Sequence, residues 1–182
     1  MTKQDQDQVD FLTEEGKSLY QAKKYLPAAE AFSQAAEAYD VLGKTLLAVE
    51  MRNNQCVSLL LAKKPQKALE VVQGTSSLFI EAGKIKEAGM ALANEATALK
   101  DLGENELALE AFTRAGDLFQ SGGEEDLYLQ TMQSVSGLKL RSRNLTGALF
   151  SMQKGLEGIE KPTWRQKLLK KLMDIPDNLL NK

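Results

Sequence analysis

Apolar and polar positions along the 182-residue chain follow the spacing of helices, and no stretch alternates with the period of a strand. Between Gly103 and Gly123, Leu107, Ala108, Ala111, Phe112, Ala115, Leu118 and Phe119 recur three and four apart. They predict one amphipathic helix with a helix-ending glycine on either side. The pattern returns at intervals of forty residues. Ala28, Ala68, Ala108 and Ala148 fill one column, and Phe32, Val72, Phe112 and Met152 a second. Tyr39, Phe79, Phe119 and Ile159 fill a third, with Gly43, Gly83 and Gly123 four residues beyond its first three members. A unit of this size cannot bury its apolar face alone and must stack on its neighbours. The expected fold is therefore an all-α solenoid.

Helices are predicted at about Val9–Lys24, from Pro27 to Gly43, and over Lys44–Lys63, Pro65–Ala82, Lys84–Leu102, Glu104–Gln120, Glu124–Arg141 and Leu145–Ile159. Pro162 opens a ninth and Pro176 closes it. Four helix pairs result, at about 9–43, 44–83, 84–123 and 124–161, with a capping helix at 162–176. Residues 1–8 read as a disordered start and 177–182 as a tail. No linker is long enough to divide 9–176, which reads as one domain.

The columns resemble the tetratricopeptide repeat, whose pattern is W-x2-L-G-x2-Y, then A-x3-F, then P. Gly16, Cys56, Ala96 and Ser136 hold its small residue, each twelve positions before the alanine of the second helix. Leu19, Leu59 and Leu99 hold the tyrosine position, which is Lys139 in the fourth repeat. Leu12, Arg52, Leu92 and Met132 replace the opening aromatic. The period of forty, against 34 in the pattern, lengthens each helix by nearly one turn. In that respect the chain is similar to SNAP-type vesicle-fusion adaptors and to polarity adaptors with forty-residue repeats. The resemblance covers about residues 9–160 and implies a right-handed stack of four helix pairs. It is specific for fold, not for biological role.

Composition and charge agree with a binding module. The net charge of -2 offers no general attraction for nucleic acid. Histidine is absent, which removes the commonest general base and metal ligand. The lone Cys56 sits in the small-residue column, where packing explains it. Glu124, Glu125 and Asp126 open a helix, where acids favour the dipole. No cofactor, metal or catalytic residue is assigned. A single cysteine, an N-terminus without an apolar core and the lack of a bilayer-length apolar run together predict a cytoplasmic protein.

Charge is unevenly distributed. Residues 1–40 carry four Lys against eight Asp or Glu, and residues 161–182 carry six Lys or Arg against two Asp. The basic terminal helix places Trp164, Leu168, Leu169, Leu172 and Met173 on one face, and is expected to bury Trp164 on the eighth helix as a cap. An alternative for this helix is docking on an anionic membrane. Another is self-assembly through the oppositely charged ends, so the chain is read as a monomer or weak homo-oligomer.

In tetratricopeptide arrays the first helix of each pair lines a concave groove, so the resemblance places the partner there. Positions six and two before, and one and five after, the small residue share the face turned away from the partner helix. These are Asp10, Glu14, Lys17 and Gln21, then Glu50, Asn54, Val57 and Leu61. The third repeat supplies Met90, Asn94, Thr97 and Asp101, and the fourth Gln130, Ser134, Gly137 and Arg141. Asn53, Leu60 and Lys100 adjoin that face. The expected ligand is an extended peptide or a helix of a partner protein. Asn54 and Asn94 are expected to pair with its backbone, beside an apolar patch at Leu60 and Leu61. The basic residues are too scattered among acids for a clamp on a terminal carboxylate.

Overall fold

A computed structural model describes residues 3–157, 159 and 162–173. Among these the chain forms ten helices and no strand. They are α1 (Lys3–Gln21), α2 (Tyr25–Val41), α3 (Thr45–Leu61), α4 (Pro65–Val72), α5 (Thr75–Glu81), α6 (Ile85–Leu102), α7 (Asn105–Ser121), α8 (Glu125–Arg141), α9 (Leu145–Glu157) and α10 (Trp164–Met173). Two compact units form, Met1–Ala111 and Phe112–Lys182, with the boundary inside α7. In the first, α1 packs on α2, α2 on α3, and α3 on α4, while α6 packs on α4 and α5. In the second, α8 packs on α9, and α10 touches α9.

The turns repeat every twenty residues, at half the sequence period. Lys23, Gly43, Lys63, Gly83, Gly103, Gly123 and Arg143 all have positive φ. One residue later, the N–H of Lys24, Lys44, Lys64, Lys84, Glu104, Glu124 or Asn144 returns to the carbonyl five residues back. This is the Schellman closure, which satisfies carbonyls orphaned at a helix end. The same residues' carbonyls then accept the N–H of Ala28, Ala48, Ala68, Ala88, Ala108, Tyr128 and Ala148, starting the next helix. Each of these turns therefore needs only two or three residues between its helices.

The columns are the core. Ala28, Ala68, Ala108 and Ala148 are buried, as are Gly16, Cys56, Ala96 and Ser136 opposite them. Closeness explains the small residues: a Cβ on Gly16 would lie 2.7 Å from Cε1 of Phe32. In the second unit Met132 packs as closely on two glycines: a Cβ on Gly116 or Gly155 would lie 2.6 or 2.9 Å from its side chain. Polar replacements within the columns are neutralised locally. Arg52 pairs with Asp40 across the α2–α3 turn. Nζ of Lys139 donates to Oγ of Ser151 at 2.9 Å.

Four expectations are corrected. The single helix at Pro65–Ala82 is two, because Gly74 adopts φ 80° and ends the first; Thr75 Oγ1 donates to the Val72 carbonyl at 2.7 Å across the break. Helix α1 begins at Lys3, so the start read as disordered is helical from there. Leu107 lies at the edge of its stripe and is exposed. Trp164 is 69% exposed rather than buried on the preceding helix. Its helix α10 still touches α9, and Thr163 and Gln166 cap it reciprocally: Thr163 N–H donates to Gln166 Oε1 at 2.7 Å. The side chains of Leu168, Leu169, Leu172 and Met173, together with Pro176 and the 177–182 tail, lie outside the described residues.

Candidate functional site

The first-helix face of the first unit holds a solvent-open depression of about 450 Å³. Lys17, Tyr20 and Gln21 of α1, Phe32 of α2, Asn54 and Val57 of α3 and Met90 of α6 line it. Five residues of the expected face, Lys17, Gln21, Asn54, Val57 and Met90, thus come together from three first helices forty residues apart. Register produces this convergence: each of the five stands six before, two before, one after or five after its own repeat's small residue. The floor is apolar, from Phe32, Val57 and Met90, and its rim is polar. Val57 is half-buried and Met90 exposed, so both retain apolar surface for a ligand.

The rim is electrically balanced. Lys17 Nζ lies 2.8 Å from Glu14 Oε1, and this hydrogen bond raises the lysine's pKa. Lys100 Nζ is 4.0 Å from Asp101 Oδ1. Glu50 of α3 is exposed, and its charge also raises the pKa of Lys17. With each lysine next to an acid, the face has no cationic cluster to read a terminal carboxylate.

Two of the expected contacts turn inward. Asn53 is buried and its Oδ1 accepts a 2.7 Å hydrogen bond from Nδ2 of Asn94. That bond ties α3 to α6 and consumes one donor of the amide expected to serve the ligand. Asn54 remains in the depression wall, with its backbone carbonyl accepting from Ser58 Oγ at 2.9 Å. Leu60 is core, so the expected apolar patch reduces to the exposed Leu61. Thr97 Oγ1 donates to the Ala93 carbonyl at 2.8 Å. In the second unit, Gln130 and Arg141 are exposed, and Ser134 Oγ donates to the Gln130 carbonyl at 3.2 Å.

Tyr20 and Phe32 were not among the expected lining residues. Tyr20 stands four past Gly16, in one column with Leu60 and Lys100, and that column was the available signal. Its ring meets Tyr25 edge-on at 5.9 Å between centroids, which steadies it at the rim. Phe32 reaches the depression because Gly16 opposite has no side chain to screen it.

Nucleophilic chemistry has no foothold at Cys56. The thiol is buried, and burial pushes its pKa up to about 12, with the charge of Glu95 adding to the shift. It therefore stays protonated and unreactive. Among the described residues no group of His, Cys, Asp or Glu is placed to hold a metal ion. Among them, too, no helix is long and apolar enough to cross a membrane.

A search of curated proteins gives no match. The family model described as soluble NSF attachment protein, SNAP, matches residues 2–170. That match runs from the start of the chain into α10 and agrees with the stacked helix pairs and their forty-residue columns, so the chain belongs to the soluble NSF attachment protein family of helical-repeat adaptors.

Proposed function

We propose that this protein is a non-enzymatic cytoplasmic adaptor that holds a helix or extended segment of a partner protein against its first-helix face. One observation carries the reading: Lys17, Asn54, Val57 and Met90, from three separate helices, line a single apolar-floored depression. An apolar strip between balanced polar rims suits an amphipathic segment, whose apolar side chains anchor it while its polar flanks stay wet. The family's description as an attachment protein supports a role in joining proteins. Membership also supports the absence of catalysis, as does the inert Cys56.

Affinity capture with the full chain, compared with the variants Val57→Asp and Met90→Asp, tests this. Both changes place a charge on the depression wall without entering the core. A partner retained by the parent chain and by Lys67→Glu, but lost from both wall variants, supports the reading. Equal capture by all four proteins would place the binding surface elsewhere.

A further inference from the structure

Two apolar residues are exposed at register positions where their equivalents are covered. Phe11 of α1 is 65% exposed, whereas its equivalents Met51, Ala91 and Thr131 are all buried. Met51 belongs to the cluster that contains Phe32, Ala35 and Ala36 of α2, so this column is where a first helix rests on the preceding repeat. Leu149 of α9 is 60% exposed, whereas its equivalents Leu69 and Leu109 are half-buried and Ala29 is buried beside Gln55 and Leu59 of α3. That column is where a second helix receives the following repeat. Phe11 is therefore a contact residue that lacks its cover, and Leu149 is one of the complementary kind.

Their surroundings have opposite charge. Asp7 and Glu15 stand one turn before and one turn after Phe11, with Asp10 and Glu14 between them, and all four are exposed. Residues 1–15 carry one Lys against five Asp or Glu. Leu145 precedes Leu149 by one turn and is likewise exposed. Arg141, Arg143 and Lys154 are exposed around them, and α10 adds exposed Trp164, Lys167, Lys170 and Lys171. Residues 139–171 carry nine Lys or Arg against two Glu.

We propose that this chain associates with a second copy of itself head to tail, the α1 face of one copy covering the α9–α10 face of the next. The aromatic Phe11 is the anchor, set among acids, and it meets Leu145 and Leu149, set among bases. The contact reuses the packing that one repeat already makes with its neighbour, so its apolar part needs no new geometry. Complementary charge speeds the encounter and disfavours head-to-head pairing, where like charges would meet. Because the two faces differ, the interface is heterologous and each pairing leaves one face of each kind free. It lies on the opposite side of α1 from Tyr20 and is independent of the reading given for the depression.

Sedimentation velocity of the full chain over a wide concentration range, at low and high salt, tests the proposal. Self-association is expected to grow with concentration and weaken with salt. Phe11→Lys and Leu149→Glu should each raise the self-dissociation constant by about tenfold or more, since a buried aromatic or aliphatic anchor dominates such contacts. Both positions are surface-exposed, and unchanged helical circular dichroism will show that the variants fold. Mixing the two variants is decisive. Phe11→Lys keeps an intact α9 face and Leu149→Glu an intact α1 face, so an equimolar mixture should form a one-to-one complex and stop there. A chain that stays monomeric, association indifferent to both substitutions, or a mixture that fails to recover overturns the proposal. So does a monomer whose Leu149 face instead binds phosphatidylserine vesicles.

Discussion

Nδ2 of Asn94 donates a 2.7 Å hydrogen bond to Oδ1 of Asn53, joining two helices whose small-residue columns stand forty residues apart. The acceptor is buried, so losing the donor leaves an unsatisfied oxygen out of reach of bulk water. Asn94→Ala is expected to destabilise the chain by about 1–3 kcal/mol, measured by urea denaturation. The double variant Asn53→Ala with Asn94→Ala should cost less than the sum of the two single changes.

The same bond separates the roles of Asn54 and Asn94 in partner binding. Asn54 lines the depression with its amide available, while Asn94 is held by Asn53. Asn54→Ala should weaken partner binding by about fivefold or more, the value of one neutral hydrogen bond. Calorimetric titration of the partner would read this against a smaller loss from Asn94→Ala. A larger loss at Asn94 would move the ligand toward α6.

The turns predict opposite effects for two similar substitutions. Lys63 has φ 58° and Gly83 φ 71°, and no atom lies within 4 Å of a Cβ built on Gly83. The cost at each position is therefore one of backbone strain alone. Gly83→Ala should destabilise by about 1 kcal/mol, and Lys63→Gly should be neutral or stabilise by up to about the same amount. Thermal melts of the two variants against the parent would show the signs.

Most of the fold was legible because burial follows the columns. Ala68 and Ala108 are buried as their position in the period requires, and so is Cys56. The turns were legible where glycine marked them, at Gly43, Gly83, Gly103 and Gly123. Lys23, Lys63 and Arg143 adopt the same left-handed conformation without glycine, so composition gave no warning that every turn is alike. The Gly74 break was missed because a helix-spaced apolar pattern continues through it to Phe79. At the site, Lys17, Asn54, Val57 and Met90 share one register face and also line one depression. Register does not distinguish neighbours some 100° apart on a helix, which is why Asn53 and Leu60 were placed on the face but belong to the core.

Cys56 gives the chain a pH dependence on the alkaline side. Its thiol titrates near 9.0 when unperturbed and is pushed up to about 12 by burial. Between those values the unfolded chain releases a proton that the folded chain keeps. The folded state binds more protons there, so stability falls as pH rises, by up to about 1.4 kcal/mol per pH unit. Tyr128 is raised by burial too and adds to the same trend. Cys56→Ala, which matches Ala96 in the next repeat, should flatten the slope while leaving the Tyr128 part. Urea midpoints of the two proteins from pH 8 upward check it, and parallel curves would refute the assignment.

Lys139 is the clearest place where the chain departs from its own pattern, and it predicts a stabilising change. Its equivalents Leu59 and Leu99 are buried, while Lys139 is half-buried with its ammonium on Ser151 Oγ. Replacing it by leucine exchanges a partly desolvated charge for apolar contact in a column built for it. The loss to Ser151 is small, because its hydroxyl also donates to the Gly147 carbonyl at 2.8 Å. Lys139→Leu should therefore stabilise the α8–α9 pair by about 0.5–1.5 kcal/mol, a fraction of the value of burying a whole leucine. Ser151→Ala should act the other way. It removes the lysine's partner and the bond to Gly147 together, at a cost of about 1 kcal/mol. Urea denaturation of both variants decides whether packing or hydrogen bonding holds this helix pair more strongly. If Lys139→Leu proves destabilising, the Lys139–Ser151 contact outweighs the apolar column, and the fourth repeat is held by its polar bridge.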